Sequence, residues 1–474
     1  MLLVLSGVLA FQRGGFQPDD QLRALAIACV VLGVATLTAP WPLVNTRSGL
    51  VALLGLVGLA VWTRLSVGWA RIEIHADNDA WRVALYAVVF AAALIVMRAP
   101  LVRRLTPWAL LVSIFAASAY GLGTRLLPEI FEAEVFGNAG ARLSHPITYW
   151  NGLGILTGAG LLLGIALAAE QSAVARMRWP RAAACALAVP CGFACYMTLS
   201  RGAFVAVFAG FVVLLVMRPR LGTALTAACV LVPVGGLIVV LQLLDKVRAV
   251  PDANPVQGTQ GEFLALLVVL AAGTAGVAFA VLARRVDAAR LAWRPTFRTA
   301  AVVAVASVLV ILAATLAISY ASEQSEELPT STSRVTEAKT FRGPYWDVAL
   351  ESFADHPLNG IGSGSFRVVW RRENVVPRGA FDAHSLYFET LGELGLVGGL
   401  LLGTFVVAIA VGLVRHARDA PRDPVLPAAA AVLAAFAVHV GVDWDWELPA
   451  LMLPVLLLAA AALVRPEPDL DWRT

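Results

Sequence analysis

Thirteen mostly apolar stretches recur along the chain, near 22–40, 49–66, 82–97, 106–123, 147–169, 181–199, 202–217, 221–243, 262–283, 299–319, 392–414, 426–442 and 448–464. A helix of about 20 apolar residues crosses a bilayer's hydrocarbon core. In that core every backbone N–H and C=O must be satisfied within the protein, so runs of this length are helices. A shorter apolar run at 1–11 lacks a basic leading region and an A-x-A-like cleavage site, and reads as a short first span and not as a signal peptide. The expected fold is an all-α polytopic membrane protein of about 12–14 transmembrane helices.

Composition agrees. Hydrophobic residues make up 59% and charged residues 14% of the 474, with a mean hydropathy of +0.77, whereas soluble domains carry about 25% charged residues. The net charge of +4, from 36 Lys+Arg against 32 Asp+Glu, is too balanced for a nucleic-acid binder. Cys29, Cys185, Cys191, Cys195 and Cys229 all lie in apolar runs and read as small core residues, not as a disulfide framework.

Cytoplasmic loops collect Arg and Lys. The connections holding Arg98, Arg103 and Arg104, then Arg176, Arg178 and Arg181, then Arg218 and Arg220, then Arg284 to Arg298, then Arg415, Arg418 and Arg422 recur at every second link. This assigns them to the cytoplasm. The outer side then receives 67–81, 124–146, Ser200–Arg201, 244–261, 320–391 and Asp443–Glu447. The chain divides into N-terminal helices (1–319), one large outer loop (320–391) and C-terminal helices with a short cytoplasmic tail (392–474). Within the loop, Trp346, Leu350 and Phe353 recur at helical spacing while Asp347, Glu351 and Asp355 fall elsewhere on the wheel. This predicts an amphipathic helix, which His356-Pro357 stops. The run Gly360–Ser365 is a tight turn, too short for a dinucleotide fingerprint.

Several polar groups fall on the outer side. Arg201 sits between two apolar runs with almost no loop around it, and a charge at such depth either faces a cavity or snorkels to the interface. Pro344 fits the first turn of the amphipathic helix and leaves Arg342 just before its N-terminus, where a guanidinium and the helix N–H groups can clamp an anion together. His384, with Asp382 or Glu389 to orient it, is suited to general-base work. Asp443 and Asp445 form an Asp-x-Asp pair, a weak signal for a divalent cation; a polar-partner role is the preferred reading, and Trp444 and Trp446 suit an aromatic belt. Tyr149 and Asn151 start a span, and Lys246 and Arg248 lie in the 244–261 loop, where they can line the same cavity. Two cations and one base facing a membrane suit a lipid-diphosphate donor: the arginines hold the leaving group while imidazole takes a proton from an attacking hydroxyl.

The pattern Ser200-Arg201-Gly202, Arg342-x-x-x-Trp346, Asp355-His356-Pro357-Leu358-Asn359-Gly360-Ile361-Gly362-x-Gly364-Ser365-Phe366 and Ala383-His384-Ser385 followed by Leu391-Gly392-Glu393-Leu394-Gly395 resembles the O-antigen ligase and O-antigen polymerase superfamily, polytopic glycosyltransferases of the GT-C type. The resemblance implies an inverting, metal-independent and cofactor-free transfer of a glycan from undecaprenyl diphosphate. The acceptor would be a hydroxyl of a glycan, a lipid A core or a protein, on the outer, periplasm-facing side of the bacterial cytoplasmic membrane. By motif, Arg201 and Arg342 look like the diphosphate-binding arginines and His384 like the essential loop histidine, with Trp346 beside them. The rival reading is a transporter or flippase for an anionic or lipid-linked glycan. It has less sequence support, because the polar candidates gather at one face and no internal repeat is visible.

Overall fold

The computed structural model describes residues 1–131, 139–170, 178–244, 247, 258–288, 299, 302–303, 305–313, 342–373 and 380–467. These form an all-α bundle, with no strand among the described residues. In chain order the helices are α1 (Leu2–Phe11), α2 (Pro18–Thr38), α3 (Arg47–Ser66), α4 (Glu73–Val96), α5 (Pro100–Leu126), α6 (Trp150–Ala168), α7 (Arg178–Met197), α8 (Arg201–Met217), α9 (Leu221–Gln242) and α10 (Gly258–Ala288), a helical stretch at 305–313, then α11 (Arg342–Asp355), α12 (Phe366–Glu373), α13 (Leu386–Asp419), α14 (Leu426–His439) and α15 (Pro449–Leu463). Among the described residues nine helices are long and apolar enough to span a membrane; α1, α8, α14 and α15 are shorter apolar helices. The chain is a multi-pass membrane protein. The first part of the large loop, 320–341, and the stretch 374–379 lie outside the described residues, as do Lys246 and Arg248.

Two helices are apolar all round because they form the centre. Every residue of α15 is buried, as are residues 152–168 of α6, the pattern of a helix enclosed by others. Small side chains allow the close approach: Ala428–Ala431 on α14, Ala459–Ala462 on α15 and Ala188 on α7 are all buried. α2, α9 and α10 surround this centre with large apolar residues turned outward, including Val30, Val232 and Val269. Cys185, Cys191 and Cys195 are core residues as expected, but Cys29 is exposed on α2, because most of that helix faces outward.

The polar groups separate to the two ends. α4 is about 36 Å long at 1.5 Å per residue, running from Glu73 to Val96. At its C-terminal end Arg98 pairs with Glu467 at 2.7 Å, and Arg103 with Asp423 at 2.6 Å. Asp423 also meets His416 Nε2 at 2.9 Å, and Arg218 pairs with Glu170. Among the described residues, the connections holding Arg98 and Arg103, Arg218, and His416 with Asp423 are held by ion pairs toward this end. The other end holds the starts of α4, α6, α8 and α13 and the turn between α14 and α15.

Three expectations need adjustment. The amphipathic helix forms as α11, but its buried face is Tyr345, Trp346, Val348, Ala349 and Ser352, while Leu350 is 38% exposed. The helix packs on α13 through this narrower stripe, which leaves Leu350 on the outward side. Arg342 is the first residue of α11 rather than its predecessor. The predicted span at 392–414 belongs to a longer helix from Leu386, broken at Gly395 (φ 64°, ψ −162°).

Candidate active site

The turn between α14 and α15 organises the open end of the bundle. Asp443 is 1% exposed and a buried carboxylate requires donors. It accepts hydrogen bonds from the Tyr149 hydroxyl, from Asn151 Nδ2 at 2.8 Å, from Arg342 Nη2 at 2.8 Å and from the Trp444 backbone N–H at 3.0 Å. Burial alone would raise the Asp443 pKa, but Arg342, His439 and His384 outweigh it and hold the carboxyl below its usual range. The Tyr149 hydroxyl is pushed well above an ordinary phenol by burial and then by Asp443.

His384 stands beside this cluster. Its Nδ1 lies 2.6 Å from Asp382 Oδ1, and the same carboxylate oxygen accepts the His384 backbone N–H at 3.0 Å. The ring packs between Tyr345 (centroids 5.3 Å apart) and Trp444 (6.5 Å), leaving the side chain 28% exposed. Burial disfavours the imidazolium, but Asp382, by charge and hydrogen bond, overcomes it with help from Asp443, so the His384 pKa is raised. Glu389, the other proposed partner, instead accepts the Ala383 backbone N–H at 3.0 Å.

Arg201 opens α8, whose N-cap Ser200 accepts the Ala203 N–H at 3.3 Å. The next residue, Gly202, approaches His439 and Val442 closely, which brings the Arg201 end of α8 against the Asp443 turn. Asp445 points away from Asp443 to His439, at 2.5 Å, with both side chains fully buried. The Asp-x-Asp pair thus separates to different partners, and no cluster of three metal-type ligands occurs among the described residues. Trp346 is 1% exposed and packs on Phe388 with centroids 5.0 Å apart, behind the wall of the site.

The glycine-rich turn is a lock for α13. Backbone N–H groups of Gly364 and Phe366 both donate at 2.8 Å to Glu393, and Gly362 N–H donates to the Glu393 carbonyl at 2.8 Å. In return the Leu396 N–H reaches Pro357 O at 2.8 Å past the Gly395 break. At Gly360 (φ +66°) a Cβ would fall 2.3 Å from the Glu393 carbonyl carbon, so only glycine fits. The motif 355–366 and the motif 391–395 are thus two halves of one junction that orients the start of α13, where His384 sits.

Backbone conformation marks the same place. Among the described residues the non-glycine positions with positive φ are Arg13, Thr148, Leu199 and His384. Thr148 adjoins Tyr149, Leu199 lies two residues before Arg201, and the third is His384 itself; left-handed backbone costs such residues about 1–3 kcal/mol each. Sequence reading missed this, and missed Tyr345 and Trp444 as the rings holding His384; the adjacency of Tyr345 to Trp346 was the available signal.

Residues 261–403 match the family model described as O-antigen ligase. The O-antigen ligase resemblance holds over this segment. A comparison with curated proteins found no match. The O-antigen ligase segment contains Arg342, Trp346, His384 and the α13 junction. Arg201, Tyr149, Asn151, Asp443 and Asp445 come from outside it and are brought to it by the fold.

Proposed function

We propose that the Asp443 end of the bundle transfers a glycan from undecaprenyl diphosphate to an acceptor hydroxyl, as an O-antigen ligase or polysaccharide polymerase. The observation that carries this reading is the convergence of Arg342 and His384 on the Asp443–Trp444 turn. Arg342 and Arg201, the latter at a helix N-terminus, hold the diphosphate by charge and by N–H donors. The Nδ1 of His384 is held by Asp382, which leaves Nε2 as the base. The acceptor oxygen attacks the anomeric carbon as the bond to the diphosphate breaks; Nε2 takes the hydroxyl proton and the arginines balance the leaving charge. Asp382 stabilises the imidazolium that results, the role of the orienting carboxylate in acid–base dyads generally. Asp443 holds Arg342 in place when no donor is bound.

The outer face of the cytoplasmic membrane is the proposed location; support comes from Arg98, Arg103 and Arg218, which pair at the opposite end, and from the side that Arg-rich connections favour. Transport at the bundle's midplane gains no support from candidates that sit at one end.

The test is transfer by purified protein supplied with an undecaprenyl-diphosphate-linked oligosaccharide and a panel of glycan, lipid A core and protein acceptors. Wild type should release undecaprenyl diphosphate and form a glycoconjugate, with or without EDTA; His384→Ala should lose about 10²–10⁴-fold, the usual contribution of general-base catalysis. Full activity of the alanine variant sinks the assignment. Flux of donor across proteoliposomes without any acceptor would replace it with the transport reading.

A further inference from the structure

A second carboxylate–imidazole pair lies beneath the Asp443 turn, and the glycan-transfer chemistry leaves it without a task. His439 ends α14, and its Nδ1 meets Asp445 Oδ2 at 2.5 Å with neither side chain exposed. An ionised carboxylate only accepts, so the bond selects Nδ1 as the protonated nitrogen. His439 Nε2 and Asp445 Oδ1 are buried with no hydrogen-bond partner among the described residues. On the Nε2 side the ring abuts the first turn of α8: a Cβ at Gly202 would sit 3.3 Å from Nε2 and 3.5 Å from Val442.

The pair closes the turn that carries Asp443. Between His439 and Asp445 the chain reverses, with the Val442 N–H on His439 O at 3.0 Å, and Asp443 reaches out toward Arg342. The same turn seats the start of α13, because the Leu386 N–H donates to Val440 O at 2.8 Å. Leu386 lies two residues after His384. One buried clamp therefore stands under three elements: the Asp443–Arg342 pair, the His384 end of α13 and the Arg201 end of α8.

We propose that His439, clamped by Asp445, is a positioning residue that fixes Arg342, His384 and Arg201 relative to one another through this shared turn. The inference rests on the glycan-transfer reading for its effect on rate, and on geometry alone for its effect on structure. Its working atom is the Nδ1 proton. Nε2 supplies only a flat surface that glycine at 202 can approach.

Three substitutions separate the possibilities. His439→Asn keeps a donor where Nδ1 stands, His439→Gln moves the donor to the Nε2 position, and His439→Phe keeps the ring volume with no donor. Hydrogen exchange in detergent-purified protein reads the structural effect without any substrate: peptides covering 200–206 and 384–390 should exchange at wild-type rates in the Asn variant and faster in the Gln and Phe variants. In the transfer assay the Asn variant should keep the wild-type pH profile and kcat, while Phe and Gln lower kcat by about 10²-fold, the effect of misplacing reacting groups by an ångström. Equal exchange and equal kcat in Asn and Phe would overturn the proposal, since the ring would then only fill space. An Asn variant as inactive as Phe with wild-type exchange would also overturn it, by making Nε2 a reacting group. Asp445→Leu attacks the clamp from its other side and answers the question if His439→Phe does not reach the membrane. A wild type inactive with every acceptor, alongside the predicted exchange pattern, would sink the transfer reading and leave the clamp standing.

Discussion

Arg342 Nη2 and Asp443 Oδ2 meet at 2.8 Å across 101 positions of sequence. The contact joins the O-antigen ligase segment to a turn outside it, and the two ends of the pair are not equivalent. Asp443 is 1% exposed and has three other donors, whereas the Arg342 side chain is 19% exposed.

Removing Asp443 should therefore harm the fold more than removing Arg342. Asp443→Ala removes the carboxylate that Tyr149, Asn151 and Arg342 share, and breaking a buried pair from one side costs about 3–5 kcal/mol. Arg342→Ala leaves a carboxylate still served by Tyr149 and Asn151. Thermal unfolding in detergent should drop clearly for the first and modestly for the second, while both lose transfer. Equal unfolding temperatures would contradict the assignment of Asp443 as the hub.

The His384–Asp382 pair predicts a pH dependence. In the proposed transfer the base is neutral imidazole, and Asp382 raises the His384 pKa, so the acid limb of the kcat profile should lie above the ordinary histidine value of about 6.5. Asp382→Asn should move that limb to lower pH and reduce the plateau. The stability the pair contributes is fully present below the ordinary histidine value and is lost as pH rises through the raised one. An acid limb that does not move in the Asn variant would exclude His384 as the titrating base.

Gly360→Ala and Gly395→Ala should each unlock the junction. Both glycines have positive φ, and an added Cβ would lie 2.3 Å from the Glu393 carbonyl carbon or 2.4 Å from Leu358 O. Trypsin treatment of membranes should show new cleavage at Arg367, Arg371 or Arg372, with transfer lost in parallel. Native cleavage patterns in both variants would remove the junction's structural role.

Asp423 provides a contrast at the far end of the bundle. Burial opposes its charge, but His416 and Arg103 outweigh this and depress its pKa strongly. Its contribution to stability is present above the ordinary carboxylate range and lost as pH falls through the depressed value. Asp423→Asn should lower the unfolding temperature and flatten its acid dependence while leaving kcat within about twofold, since additive, independent sites do not couple over such distances. A large loss of kcat would mean the two ends are linked.

The sequence makes the spans legible because lipid imposes one length and one composition on each. The stop at His356-Pro357 and the exposed Asp347, Glu351 and Asp355 follow from local periodicity in the same way. What periodicity cannot carry is partner choice. Asp382 as the partner of His384 is two residues away and readable; Arg342 as the partner of Asp443 is not, because only the packing of α13 against α11 and the turn after α14 bring them together. Asp443 and Asp445 look alike in sequence, and alternate residues of a turn sent them to Arg342 and to His439. The face of α11 was misplaced for a similar reason: the helix offers apolar residues on more than one side, and contact with α13 selects among them.

The placement of Asp443 also sets an order on biogenesis. A ribosome that has passed residue 403 has synthesised Arg342, His384 and the glycine junction in full, yet the carboxylate that neutralises Arg342 still waits on α14 to enter the membrane. Until then Arg342 lacks the contact that Asp443 makes with it in the finished bundle. A chain that stops short of the last two apolar segments holds every residue of the family segment and still lacks the turn that joins Arg342 to the rest of the bundle.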